Sequence, residues 1–188
     1  MTRILGISGS LREQSFNTSL LRAAQAQAPQ GVEFDAATLH GIPLYDADIE
    51  RDEGLPAAVA ELKERVVAAD GVLLVTPEYN NGIPGVFKNG IDWLSRPASD
   101  IPRVFRDRPF ALIGASPGGF GTILSQNAWL PVLRTLGARF WSGGRLMVSR
   151  ANLAFDEAGA ISDDKLRAQL ADFVAGFAAF AGAGGRKD

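Results

Sequence analysis

The chain has 188 residues, 46% of them hydrophobic and 21% charged, which suits one globular domain that buries a core without cross-links. A formal charge of −2, from 19 Lys+Arg against 21 Asp+Glu, argues against nucleic acid or an anionic membrane as the main partner. With no cysteine and one histidine, His40, the sequence excludes disulfides, thiolate catalysis and Cys-based metal sites; no metal centre is expected.

The apolar run in "MTRILGIS" is too short for a signal-peptide core, and no run approaches the ~20 residues of a membrane span. A cytoplasmic protein with no membrane insertion is expected. Ile4–Ile7 reads as a buried strand, and residues 17–28 as a helix whose inner face carries Leu20, Leu21, Ala24 and Ala28. Val32–Ala36 alternates, as a strand nearer the sheet edge does. Leu55, Val59, Leu62, Val66 and Ala69 mark an amphipathic helix. Val72–Val75 is a continuous apolar strand, and a helix follows over Pro84–Leu94, with the proline in its first turn.

Phe110–Ala115 is a third buried strand. The helix over residues 122–136 is closed by Gly137, and Pro131 inside it predicts a kink. Phe140–Val148 is the last strand region, interrupted at Gly143-Gly144. A final helix carries Leu166, Leu170, Phe173, Val174, Phe177 and Phe180, with Ser162 as its N-cap. Apolar strands alternating with helices predict an α/β fold. The expectation is a flavodoxin-like, doubly wound, five-stranded parallel sheet of order 2-1-3-4-5 with helices on both faces. Residues 1–181 form one domain, and residues 182–188 are expected to be a disordered tail.

Ligands of such sheets bind beyond the carboxyl ends of the strands, so three segments matter. "SGSLREQSFN" leads from strand to helix start, where free N–H groups and the helix dipole attract an anion. Ser10, Ser15, Asn17 and Thr18 add neutral donors and Arg12 a positive charge. An ordinary polar turn is the alternative. "TPEYNNGIPG" is stiffened by Pro77 and Pro84, turns at Asn80, Asn81 and Gly82, and offers Tyr79 to an aromatic ring. "SPGGFGT" lets the backbone approach a ligand closely. Either could be a plain connector, but three such loops on one rim suggest a ligand with a phosphate and a planar polar ring. FMN is the natural candidate.

"GISGSLREQSFN", "TPEYNNGIPGVFKNGIDWLSRP" and "SPGGFG" together resemble the NADPH-dependent FMN reductase family, which includes bacterial quinone and chromate reductases. The resemblance spans residues 3 to 150. It implies that Ser10, Arg12, Ser15, Phe16, Asn17 and Thr18 hold the FMN phosphate and ribityl chain. Pro77, Glu78, Tyr79 and Asn80 would meet the isoalloxazine edge, and Ser116, Gly118 and Gly119 the other side of the ring. It further implies NADPH or NADH as donor and a quinone, free flavin, azo compound or metal oxyanion as acceptor. Hydride passes through flavin N5, with no catalytic acid or base from the protein. A homodimer or homotetramer is implied too, assembled through the helices that carry Phe87, Trp93 and Trp129. Arg96, Arg103, Arg106 and Arg108 read better as a solvated segment than as a dinucleotide site. The alternatives are a flavodoxin-type electron carrier, disfavoured by the small net charge, and a non-enzymatic flavin sensor. A phosphorylation receiver is rejected, because Ser8-Gly9-Ser10 stands where it needs acids.

Overall fold

Continuous apolar runs form the inner strands of one parallel sheet in the computed structural model, which describes residues 1–184. The strands are β1 (Thr2–Ser8), β2 (Val32–Ala37), β3 (Gly71–Val75), β4 (Pro109–Ala115), β5 (Arg139–Phe140) and β6 (Leu146–Val148). Their order is β2-β1-β3-β4-β5, the flavodoxin-like order, and β6 pairs with β4 as β5 does. The helices are α1 (Phe16–Ala26), α2 (Ala47–Glu53), α3 (Ala57–Ala68), α4 (Gly85–Leu94), α5 (Ile101–Val104), α6 (Ile123–Thr135), α7 (Ala151–Ala154) and α8 (Asp164–Ala183).

Alternation along each strand builds two cores. Ile4, Leu73, Val75, Ala111 and Ile113 face α1 and α8, where they meet Leu20, Leu21, Leu170, Phe173 and Phe177. Leu5, Ile7, Val72, Leu74 and Leu112 face α3, α4 and α6, where they meet Leu62, Val66, Phe87, Ile91 and Trp129. Phe87 and Trp129 meet edge to face at 5.0 Å, binding α4 to α6 under the rim of the sheet.

The outermost strand is broken where Gly143-Gly144 suggested. Phe110 pairs with Phe140 and Ile113 with Leu146, so three residues loop out of register between them. The excursion seats Trp141 against Phe173 at 4.8 Å. Gly143 and Gly144 wrap that indole so closely that a Cβ on either would lie within 3 Å of it.

Several boundaries differ from expectation for local reasons. α2, α5 and α7 are short extra helices; α2 buries no residue, so it has no apolar stripe to read, and Asp46 caps it. Asp163, not Ser162, caps α8, accepting from the N–H groups of Lys165 (2.7 Å) and Leu166 (3.3 Å). α8 continues to Ala183, so the expected tail does not begin at 182; residues 185–188 lie outside the described residues. α6 runs through Pro131 as one helix. Pro131 and Asn127, whose carbonyl loses its partner, both lie on the exposed side, where water can serve that carbonyl.

The arginine segment before β4 is a structural knot. Arg96 pairs with Glu50 at 2.8 Å and lies over Tyr45, whose hydroxyl donates to the same carboxylate. Arg103 pairs with Glu64 at 2.8 Å. The buried ammonium of Lys63 donates to Asp100 at 3.0 Å and to the Arg96 carbonyl. Arg108 is buried, not solvated, and donates to the carbonyls of Val104, Ala69 and Arg103. Hydrogen bonds from Arg96, Lys63 and Arg103 hold Glu50, Asp100 and Glu64, respectively, below their ordinary carboxyl pKa values.

Because the folded pKa values lie below the ordinary 4.5 and 3.8, this stabilisation is present at neutral pH. It is lost as pH falls from those values through the folded ones. Thermal unfolding followed by circular dichroism should give a flat melting temperature from pH 7 to about 5 and a fall below about 4.5. Glu50→Gln should make that fall shallower. An unchanged acid limb in this variant would mean that the knot does not set it.

Candidate functional site

The carboxyl ends of β1, β3 and β4 carry the three loops expected to bind a ligand, and they converge on one cleft of about 320 Å³. That size lies within the usual range of small-molecule sites. Ser10, Arg12, Ser15, Phe16, Asn17, Pro77, Glu78, Tyr79 and Ser116 all line it, with Ala115 and Pro117. Thr18, Asn80, Gly118 and Gly119 stand behind or beside this lining.

In the first loop, Ser15 caps α1 and accepts from the N–H groups of Asn17 (3.2 Å) and Thr18 (3.4 Å). Thr18 bonds Ser8 at 2.8 Å beneath the loop, and the Ser10 hydroxyl accepts from the Arg12 N–H at 3.3 Å. Gly9 is required by packing, since a Cβ there would lie 2.1 Å from the Phe87 ring. The Arg12 guanidinium lies over Phe16, 5.3 Å from the ring centroid, and forms no ion pair among the described residues. A cation without a carboxylate thus stands beside the positive end of an 11-residue helix. His40 reaches the Leu11 carbonyl of this loop at 3.2 Å.

The Asn17 side chain points away from solvent. Its amide donates to the Ala115 carbonyl at 2.8 Å, and its oxygen accepts from the Ala115 N–H at 2.9 Å. It therefore ties the start of α1 to the end of β4.

In the second loop, Asn80 and Asn81 have φ of 49° and 62°. Tyr79 and Gly82 exchange both backbone hydrogen bonds, at 3.1 and 3.0 Å, which makes the tip a two-residue turn with both residues left-handed. Asparagine is suited to that conformation. The turn holds up the Tyr79 side chain, 51% exposed, at the cleft edge. The N–H groups of Glu78 and Asn80 have no acceptor among the described residues. Glu78 turns towards α6 and accepts from the N–H groups of Leu124 (2.8 Å) and Ser125 (3.0 Å). It caps a helix whose own N-cap residue, Thr122, makes no side-chain cap bond. Beneath it, Thr76 donates to the Pro77 carbonyl at 2.9 Å and accepts from the Trp129 indole at 3.1 Å. One hydroxyl has one proton, so Ser125, 2.9 Å away, is the donor to Thr76. Nothing in the spacing of these residues announces that network.

The third loop is held by Ser116, whose hydroxyl donates to the Gly121 carbonyl at 2.6 Å. The Gly118 carbonyl accepts from the Arg150 backbone N–H at 3.0 Å, while a Cβ on Gly119 would meet nothing within 4 Å. Phe120 at the tip is 83% exposed.

These features fit flavin mononucleotide. The α1 terminus and Arg12 suit a phosphate, and the stiff turn with Tyr79 and two open N–H groups suits a planar ring with acceptor edges. Sheet order and site position define a flavodoxin-like α/β protein. The family model for NADPH-dependent FMN reductases matches residues 2–153, and the chain belongs to that family. It is 42% identical over 165 residues to an NAD(P)H-dependent FMN reductase of Pseudomonas aeruginosa, covering 88% of this chain and 87% of the relative. It is 35% identical to a 2-hydroxy-1,4-benzoquinone reductase of a Burkholderia species, covering 95% of each. Among solved structures, the flavoenzyme NAD(P)H:(acceptor) oxidoreductase FerB of Paracoccus denitrificans superposes with a TM-score of 0.87. The identity is 32%, over 99% of this chain and 100% of that one.

Asn17→Ala should strip both partners from the Ala115 backbone and cost ~3 kcal/mol in urea unfolding. Glu78→Ala should cost ~1 kcal/mol, the worth of a helix cap. A loss below about 0.5 kcal/mol for Asn17→Ala would show that α1 is held by packing alone.

Proposed function

We propose that the protein is an FMN-dependent NAD(P)H oxidoreductase that delivers reducing equivalents to quinones or similar small acceptors. The observation that carries this is the cleft itself, with an arginine that forms no ion pair among the described residues beside a helix N-terminus at one end and a rigid turn presenting Tyr79 at the other. The family and the printed activities of the relatives support it. Ser10, Arg12 and the Phe16 N–H, which Ser15 does not engage while it caps those of Asn17 and Thr18, would hold the phosphate, with Ser15 and Thr18 shaping that end and the Phe16 ring beside it. Pro77 and Tyr79 would flank the ring, and the N–H groups of Glu78 and Asn80 would donate to its edge, where negative charge grows on reduction. Ser116, Gly118 and Gly119 would border its other side. Bound FMN supplies the two-electron chemistry, so the protein needs to orient and exclude water rather than move protons.

Two further elements belong to this reading. A second copy would cover the cleft, because Tyr79, Phe120, Leu124 and Leu130 leave apolar surface exposed along loops two and three and α6. The site of action would be the cytoplasm; no helix among the described residues is long and apolar enough to cross a membrane. An electron carrier on the same fold would need a protein partner for its reduction, and that separates the two functions.

The FMN-loaded protein, given NADPH or NADH anaerobically, should bleach near 450 nm (approximate flavin absorbance) without any second protein, and recover its colour with a quinone. No bleaching with either nucleotide would overturn the assignment. Arg12→Ala should weaken FMN binding by ~10- to 100-fold in a fluorescence titration, as expected for loss of a charge-assisted phosphate contact. Light scattering should give at least a dimer at micromolar concentration, and a strict monomer would rule out a cleft closed by a second copy.

A further inference from the structure

A second cleft of about 590 Å³ opens beyond the phosphate end of the first. The two share Arg12 and Phe16 as common wall, so they are neighbouring compartments. The family assignment and the proposed flavin site leave this second compartment without a role. One side of it is α1, where Phe16, Ser19 and Arg22 recur at three residues and so lie along one helix face. Arg22 stands seven residues past the Ser15 cap, roughly 10 Å along the helix axis. It is exposed and, like Arg12, forms no ion pair among the described residues.

The opposite side is the turn after α7, Asp156 to Gly159. Asp156 closes that turn by accepting from the Ala160 N–H at 2.8 Å. Gly159, at φ 80°, brings it against α1; a Cβ there would lie 2.6 Å from the Ser19 hydroxyl. Phe16 and Phe155 stack at 5.9 Å and give the cleft an aromatic wall. Cations thus line the helix side, carboxylates (Asp156 and Glu157) the turn side, and none pairs across the gap. Glu13 also lines the cleft.

A ligand matched to this compartment carries phosphate towards Arg12 and Arg22. It carries a flat aromatic system for the phenyl wall, and hydrogen-bond donors, such as hydroxyls or an amino group, for the carboxylates. An adenosine phosphate has all three. We propose that this compartment binds the adenosine phosphate portion of a dinucleotide, with Arg22 facing a phosphate. The favoured source is the adenosine 2′-phosphate of NADPH, whose nicotinamide end would lie in the first cleft; the inference rests on the donor role given above. The adenylate half of FAD, extending from a flavin in the first cleft, is the same chemistry from another source.

The test uses the full-length FMN-loaded protein and adenosine 2′,5′-bisphosphate as probe, followed by calorimetry. The bisphosphate should bind saturably and compete with NADPH. Arg22→Glu, an exposed substitution, should weaken it about tenfold or more and raise KM for NADPH in parallel, leaving FMN affinity unchanged. Arg22→Lys should restore part of the loss. Titration of the apoprotein with FAD and FMN distinguishes the source. If Arg22→Glu weakens FAD relative to FMN but spares the bisphosphate, the compartment serves a flavin adenylate. If the variant alters neither the bisphosphate, nor NADPH, nor FAD, the inference is overturned. In that case FMN binding and NADPH-driven bleaching would still stand by themselves.

Discussion

The site depends on one buried side chain more than on any other. Asn17, in the first turn of α1, gives its amide to the Ala115 carbonyl and takes the Ala115 N–H on its oxygen. Ala115 ends β4, two strands away from β1 in the sheet, with β3 between them. An amide is a neutral group with both donor and acceptor, so it can close both backbone positions at once. An ionised carboxylate only accepts and an ammonium only donates, so neither can do the same. The bond fixes the distance between the helix terminus that would face phosphate and the loop that would border the ring. It also satisfies β4 on the side where β3 no longer pairs with it, a place where an orphaned peptide group would be costly.

The opposite side of the cleft is closed by the same logic with a charged group. Glu78 lies between Pro77 and Tyr79 on the second loop, yet its carboxylate meets the first N–H groups of α6. Negative charge at a helix N-terminus is favourable, and here the helix is the one that follows the third loop. Thr76, Ser125 and Trp129 repeat the link one layer below. Loops two and three are therefore cross-braced through side chains, while the backbone N–H groups of Glu78 and Asn80 have no acceptor among the described residues. The side chains build the frame, and the main chain would be left to meet a ligand. That division suits redox chemistry carried by a cofactor, because fixed backbone dipoles need no reorganisation when charge on the ring changes.

This explains what could be read from the sequence and what could not. Strand order and both cores follow from apolar runs that alternate with helical periods, because each position's burial is set by the element it lies on. The three loops followed from strand ends and from residues that shape turns, and Asn80-Asn81 at left-handed φ is that chemistry realised. The roles of residues within the loops were less legible. Asn17 and Glu78 line the cleft, but their polar ends are engaged with Ala115 and α6, partners 98 and 46 or 47 residues away. Gly9 is demanded by the Phe87 ring, on a helix far along the chain. Ser162 lost its cap to Asp163 by one position, and α2 was invisible because nothing in it is buried. Periodicity reports burial. It does not report which long-range partner a polar side chain will find.

Arg12 is where the two clefts meet, and its position has an electrostatic consequence. It holds one positive charge, and among the described residues no carboxylate neutralises it by ion pairing. An anion in the first cleft would take up part of that field, so a second anion on the other side of Phe16 would meet a weaker attraction and some repulsion. Arg22, on α1 beyond the loop that carries Arg12, would offset that loss for a ligand long enough to reach it. The two compartments would then be coupled through a shared cation, and coupling of binding is reciprocal. A nucleotide in the outer cleft would loosen the phosphate in the inner one by the same factor by which that phosphate weakens the nucleotide. An arrangement of this kind would favour a donor that arrives, reacts and leaves over one that stays.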